Sequence, residues 1–332
     1  MMKTKRLLIL SALVLLTFSL TTAGAIAGDN DGVYAGAFLR MGVGARPLGM
    51  GGAYTGVAEG PETAYYNPGG MPFLQEPQVI ASYRFLSLDR NFNYIGFARD
   101  IQPKVSAQSK EKPLNAGMAL SWIYAGVNNI DGRDFSGEKI GDFAWHENAF
   151  AMSFGVSPVK YVGIGLSAKV LYTRMPNMKN DNSALSEWSF GIDLGVLVKP
   201  VPFVSLGFMI KDLNARYDWI TDKVYEKDID KMDRFPQTMR GGIGVHLPWY
   251  NTLVAFDIEA DNQHDGEKYF VGVESTPFSN IVLRTGLNDG NFAGGAGFGF
   301  TVYNRPVMIQ YALVTKDYDV AAEHVFSWIF QF

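Results

Sequence analysis

Few residues of the chain have the types and spacing that catalysis or metal binding requires. The sequence has no cysteine, and its four histidines are far apart, without a second ligand at zinc-like spacing. Asp228, Asp230 and Asp233 are close enough in sequence to bind a divalent cation, but the glycine and distal glutamate of a calcium loop are missing, which favours a solvated loop. The glycine clusters at 49–52 and 294–299 complete no nucleotide-binding motif, and no G-x-S-x-G occurs. We therefore predict no enzyme, no cofactor and no metal site.

Charged residues recur instead at alternate positions of otherwise apolar segments. Between residues 188 and 198, for example, Trp188, Phe190 and Leu194 alternate with small residues and with Asp193. Charges that face a dry core cost several kcal/mol each, whereas charges that face a wet or plugged lumen cost little. This pattern favours a membrane barrel over a soluble β sandwich or propeller, which also alternates. The polar residues predicted to face the lumen are Lys169, Asp193, Lys211, Arg240, Asp257, Glu259, Glu274 and Arg284.

The alternation repeats along residues 78–332 in segments of about ten residues, the length of a membrane-spanning strand. About 14 such strands can be placed, joined alternately by short turns that often contain proline and by longer polar loops at 125–145, 174–187 and 214–236. The sequence therefore predicts an all-β fold: a transmembrane antiparallel β-barrel of about 14 strands, formed by residues 78–332. Apolar residues expected to line a pocket in its lumen are Ile123, Leu171, Leu197, Met209 and Phe270.

Residues 28–77 form a different region, because they lack the alternation and are rich in glycine. Glycine at this density suits a backbone that turns sharply and packs closely, and we predict a hatch inside the lumen. Arg46 could bind a lumen carboxylate (Asp193, Asp257, Glu259 or Glu274) and fasten the hatch to the wall, or it could satisfy backbone carbonyls nearby. Asn67 and Pro68 predict a turn that redirects the chain into the first strand. The predicted hatch residues are Arg46, Gly49, Gly51, Gly52, Asn67 and Pro68.

The two ends of the chain carry export and assembly signals. Basic residues precede the apolar run at 7–20, and Ala25-Ile26-Ala27 resembles a cleavage site, which predicts a signal peptide over residues 1–27. The last strand places four aromatic residues on one face, and such a strand resembles the closing strand that the barrel assembly machinery reads. These residues are Phe326, Trp328, Phe330 and Phe332.

The chain resembles the PorV/PorQ family, within the FadL-like group of long-chain fatty-acid transporters. The resemblance rests on the sequence at 44–54 (GARPLGMGGAY), on 66–71 (YNPGGM), on Arg234-Phe235-Pro236 followed by MRGG at 239–242, and on the aromatic last strand. It covers the whole predicted mature chain; the family usually has alanine at the position of Gly69. The resemblance implies a 14-stranded barrel with an N-terminal hatch, located in the bacterial outer membrane.

The resemblance implies two roles between which the fold does not choose. The first is binding or passage of hydrophobic small molecules, such as a fatty acid-like ligand, across the outer membrane; the second is an accessory role in type IX secretion, in which the long loops contact exported proteins. A closed structural or recognition protein is a third possibility. The expected partners are outer-membrane lipid, the barrel assembly machinery and, for the second role, secretion-system proteins. The formal net charge of -4 is mild and unclustered, which argues against nucleic acid. We favour solute passage because no protein-docking insertion is evident.

Overall fold

The computed structural model describes residues 35–101, 114–175, 185–219, 231–263, 266–316 and 321–332. The predicted signal peptide, residues 1–27, lies outside these ranges, as do Asp228 and Asp230 of the aspartate group.

Fourteen antiparallel strands close into a barrel, which confirms the predicted fold class. Each strand pairs with its neighbours in sequence, except that β7 pairs with β10 across a separate two-stranded sheet, β8 and β9, and that β1 pairs with β16 to close the barrel. The strands are β1 (Gln78–Phe85), β2 (Arg90–Ile101), β3 (Asn115–Arg133), β4 (Lys139–Val159), β5 (Val162–Met175), β6 (Leu185–Val201), β7 (Val204–Leu213), β8 (Arg216–Trp219), β9 (Lys231–Arg234), β10 (Thr238–Leu247), β11 (Thr252–Asp261), β12 (Lys268–Phe278), β13 (Ile281–Asn288), β14 (Asn291–Val302), β15 (Arg305–Val314) and β16 (Glu323–Gln331).

Two regions that we predicted as long loops contain paired strands. Most of 125–145 belongs to β3 and β4, whose register continues outward through Val127 with Trp145 and Ile130 with Phe143. The segment 214–236 contains β8 and β9. The loop prediction was wrong here because alternation weakens once a strand no longer has lipid on one face, while backbone pairing continues.

The barrel wall has an apolar outer face and a polar inner face. On β6, Trp188, Phe190 and Leu194 are 63%, 46% and 41% exposed, whereas Asp193 between them is 2% exposed. The last strand follows the same rule: its aromatic side chains at 328 and 330 lie outside, while Ser327 is buried. A closed barrel of this kind leaves no unpaired strand edge.

Residues 35–77 form the hatch and fill the lumen. Their short helical segments are Ala37–Arg40, Ala45–Gly49, Thr63–Tyr66 and Pro68–Phe73, and β1 begins shortly after the last of them. Most of these residues are buried, and the main apolar cluster joins hatch side chains such as Leu39, Met50 and Tyr54 to inward-facing strand residues. Within the described ranges, no helix has both the length and the apolar character needed to cross a membrane.

Candidate functional site: the hatch and its two cavities

An arginine fastens the first half of the hatch, residues 35–59, to the wall; residues 60–77 are the second half. Arg46 lies in the helix Ala45–Gly49, and its guanidinium donates to Glu274 on β12 at 2.9 and 2.8 Å and to Glu59 of the hatch at 3.0 Å. The Glu274 carboxylate also accepts a hydrogen bond from Arg284 on β13 at 2.6 Å. The Arg284 side chain is 1% exposed and that of Glu274 11%, so solvent screens these ion pairs weakly. We call these four residues the arginine anchor.

A carboxylate of the wall binds the hatch backbone a few residues further on. Asp257 on β11 is fully buried and accepts hydrogen bonds from the backbone N–H groups of Tyr54 and Thr55 at 2.9 and 2.8 Å. Arg240 on β10 donates to the same carboxylate at 2.9 Å and to the carbonyl of Gly52 at 2.6 Å. The Arg240–Asp257 ion pair therefore provides partners for two backbone N–H groups and one carbonyl of the hatch. Without it, these three groups would be buried without hydrogen bonds.

The remaining predicted polar residues of the wall also form ion pairs or face the hatch. Glu259 accepts from Arg240 at 3.0 Å. Lys169 on β5 binds Asp193 at 2.6 Å and also binds Asp212. Lys211 lies over the ring of a hatch tyrosine. All eight side chains are directed into the lumen, as their burial shows for seven of them at 9% exposure or less.

The glycines of the hatch lie where the hatch and the wall are closest. Gly51 has φ +63, and a Cβ atom there would overlap the backbone of Leu287 on β13. A Cβ atom added to Gly49 would lie 3.4 Å from the Cα atom of Gly295, and Gly52 has φ +85 beside Phe270. Any side chain at Gly51 would therefore have to displace the hatch or the strand.

The second half of the hatch lies in a notch lined by glycines of β4 to β7. The amide of Asn67 donates to Thr55 O and to Val196 O on β6, both at 3.0 Å, and its oxygen accepts from Gly69 N at 2.9 Å. A Cβ atom on any of the facing wall glycines would overlap the hatch segment from Thr55 to Pro72. We call these glycines the glycine seat: Gly155, Gly163, Gly165, Gly195 and Gly207.

The hatch separates two cavities at opposite ends of the barrel. The cavity at the short-turn end, where β1 begins and β16 ends, has a volume of about 740 Å³ and is lined by Arg46, Glu62 and Glu274 among others. The cavity at the opposite, long-hairpin end has a volume of about 460 Å³ and is lined by Tyr65 and Lys211 among others. Both volumes are typical of small-molecule sites, which span about 300 to 1,000 Å³. A third space, beside Tyr65 and Lys211, measures only about 20 Å³.

The cavities are less apolar than we expected. Met209 and Phe270 line the long-hairpin cavity together with several charged residues, and Ile123 borders the small third space. Leu171 and Leu197 are fully buried and pack within the barrel instead. The hatch accounts for the difference, because it packs against most of these apolar inward-facing side chains and leaves charged residues around the cavity at each end.

Glu62 of the hatch is a buried carboxyl group at the edge of the short-turn cavity. It is 1% exposed, and neither carboxyl oxygen has a hydrogen-bond partner among the described residues. Burial raises the pKa of Glu62 to about 7, although the charges of Arg46 and Arg284 act in the opposite direction. The seated hatch therefore favours the protonated form of this group.

Several residues of the site were not predicted from the sequence. Arg84 on β1 donates to Glu323 on β16 at 3.0 Å and to the carbonyl of Met41 in the hatch. Its position, alternate with Ser82 and Ile80, could have identified it as inward-facing. Glu59 and Glu62 carried no such signal, because the hatch has no regular period. No cluster of His, Cys, Asp and Glu suited to a metal ion occurs in the part of the chain that the structure describes.

Solved structures with the same architecture are FadL-like transporters and channels. The toluene transporter TbuX of Ralstonia pickettii aligns with a TM-score of 0.54 at 12% identity, covering 88% of this chain and 98% of TbuX. The CymD monoaromatic hydrocarbon channel gives 0.56 at 13% identity, covering 87% and 97%. A Pseudomonas aeruginosa FadL homologue gives 0.55 at 13% identity, covering 87% and 98%. No protein-family model and no curated protein matches the chain. At these identities the likeness shows that the chain has the FadL-like barrel fold.

Proposed function

We propose that this protein passes hydrophobic small molecules across the bacterial outer membrane through a lumen gated by the hatch. The observation that carries this proposal is the pair of cavities, each large enough for a small molecule, on opposite sides of a hatch that blocks the barrel. The apolar outer wall supports a location in lipid. Three FadL-like structures of the same architecture are a toluene transporter, a monoaromatic hydrocarbon channel and a FadL homologue, which supports a hydrophobic solute.

The fastening of the hatch suggests how a passage would open. The hatch is held by hydrogen bonds and ion pairs, for instance between Arg46 and Glu274, and by close packing, and the sequence has no cysteine that could add a disulfide. A path between the two cavities requires part of residues 35–77 to move, since these residues fill the lumen. We infer that the chain belongs with the FadL-like group in function and with the PorV/PorQ type in its hatch motifs.

The proposal can be tested by uptake of toluene and of a long-chain fatty acid into cells whose outer membrane carries this protein. We expect uptake above that of cells without it. Cysteines at Ala45 and Ser327, where the backbone nitrogen of one lies 2.9 Å from the hydroxyl of the other, should fasten the hatch to β16 when oxidised. Oxidation should then lower uptake, a reductant should restore it, and the two single variants are the controls. Equal uptake with and without the protein would refute the proposal.

A second candidate function is an accessory role in protein secretion, with exported proteins bound outside the barrel. It is favoured by the β3–β4 hairpin, which extends past the neighbouring strands and ends in a fully exposed Phe135. Replacement of Phe135 by serine should impair export of cargo proteins in a type IX secretion strain and leave toluene uptake unchanged. An unchanged secretome in that variant and in a deletion strain would exclude this role.

A further inference from the structure

The long-hairpin cavity contains a buried lysine that lacks an acidic partner. Lys211 on β7 is 9% exposed, and no carboxylate among the described residues lies within 4 Å of its ammonium group. Its Nζ atom lies 3.6 Å from the centre of the Tyr65 ring. The Tyr65 ring is fixed by two hydrogen bonds of its hydroxyl group, which donates to Leu39 O and accepts from Gly42 N. A cation over a fixed aromatic face is attracted to it, but keeps hydrogen bonds to offer.

The acids near Lys211 already have other partners. Asp212 and Asp193 bind Lys169, and Glu259 binds Arg240. Lys211 therefore has no acid of its own in the described part of the chain. Its long-range attraction to these groups remains, but its own donors are available to a ligand.

The two cavities differ in charge. Among the described residues, six cationic and four acidic side chains line the long-hairpin cavity, whereas three of each line the short-turn cavity. An excess of positive charge at a partly enclosed rim raises the local concentration of anions. Apolar side chains beside Lys211, namely Met209, Phe270 and Leu48, offer surface for an uncharged body next to the charged group.

We propose that the long-hairpin cavity binds a compact organic anion, with its carboxylate on Lys211 and its apolar body against Tyr65, Met209 and Phe270. This inference rests on the proposed function and makes it more specific, because it gives the solute a negatively charged group. A buried charge is tolerated when it is paired and hydrogen-bonded. A bound carboxylate would pair with Lys211, whereas a neutral hydrocarbon would leave the N–H donors of Lys211 without an acceptor.

The test measures binding to the purified full chain in a nonionic detergent by calorimetry. The probes are benzoate, its neutral analogue benzyl alcohol and the cation benzylammonium. We expect benzoate to bind most tightly and benzylammonium least, with benzoate affinity falling as salt is added. This comparison uses the unaltered protein and so does not depend on any variant folding. Equal affinity for benzoate and benzyl alcohol would overturn the proposal.

Variants then locate the site. Lys211→Met keeps the aliphatic stem, removes the charge and should weaken benzoate binding by about tenfold, while Lys211→Arg should retain it. Lys199→Met is the matched control, since Lys199 lies 4.8 Å from the centre of the Phe73 ring of the hatch but borders the short-turn cavity. Benzoate affinity that survives in Lys211→Met, or that falls equally in Lys199→Met, would place the anion elsewhere and refute the site. If cells carrying the unaltered protein took up toluene but no more benzoate than benzyl alcohol, this inference alone would be refuted. If they took up none of these solutes above the level of cells without the protein, the proposed function would be refuted.

Discussion

The two halves of the hatch are attached to the wall in different ways. The first half combines close packing, such as Gly51 against the backbone of Leu287, with charge: the arginine anchor and the Arg240–Asp257 pair bind it to β10 to β13. The second half has close packing but no ion pair to the wall among the described residues, because the glycine seat lets the segment around Asn67 approach the backbone of β4 to β7. Ion pairs can exchange partners with water or with a ligand, but a close-packed notch cannot adapt without moving its strands. We therefore expect the first half to be the part that moves during passage and the second half to remain in place.

This comparison can be tested with one assay. The sequence contains no cysteine, so a single cysteine at Ala53 or at Ala64, both buried in the hatch, reports release of the first or of the second half. The urea dependence of labelling gives the free energy of hatch release in each background.

The largest effect is expected at Asp257. Replacement by alanine leaves Arg240 buried beside two unpaired backbone N–H groups, and should lower the free energy of hatch release by about 3–5 kcal/mol at Ala53. Asp257→Asn keeps an acceptor and should lower it less. Equal labelling of Asp257→Ala and the parent would show that this pair does not hold the hatch.

The next largest effect is expected at Glu274. The Glu274→Gln variant removes the charge that separates Arg46 from Arg284, and should lower the release free energy of the first half by about 1.5–3 kcal/mol. Glu59 remains bound to Arg46 and limits the loss. Labelling at Ala64 should change little; an equal change at both cysteines would mean that the two halves are released together.

A smaller effect is expected at the glycine seat. The added methyl group of Gly165→Ala would overlap Pro68 O and should lower the release free energy of the second half by about 1–3 kcal/mol. The matched control is Gly241→Ala, because a Cβ atom there meets its nearest neighbour, Ile258 Cγ2, at 3.9 Å. If Gly165→Ala acted mainly on Ala53, the division between the two halves would be wrong.

Glu62 makes the stability of the seated hatch depend on pH. Its pKa is raised to about 7 by burial in the seated hatch, so the seated state binds a proton that the released state gives up near pH 4.5. Hatch stability should therefore be highest below about pH 4.5, fall by up to about 3 kcal/mol as the pH rises through 7, and then level off. Glu62→Gln cannot ionise, and its release free energy, taken from the urea dependence at each pH, should change less over this range. A wild-type profile as flat as that of the variant would contradict the assignment.

The sequence identified several residues of the site, but only the structure shows which partners they contact. Four acids were possible partners of Arg46 in the sequence. In the structure Arg46 binds Glu274, and the register of β12 with β13 places Arg284 opposite the same glutamate. The Asn67-Pro68 turn was predicted, but the wall glycines that receive it lie on four strands and have no common spacing in the sequence. Lys211 lacks an acidic partner because Lys169, on another strand, binds both nearby aspartates. The sequence does not show this arrangement.

The sequence by itself determined the barrel, its 14 strands and which face of each strand is apolar, because a strand's two-residue period is a local property that needs no partner to be read. It also determined that residues 28–77 differ from the wall, through their glycine content. Only the tertiary structure decided which charges meet, where the two cavities lie and which half of the hatch is held by ion pairs. Those features depend on strand register and on chain segments more than 200 residues apart, such as Arg46 and Glu274, and no local pattern encodes such distances.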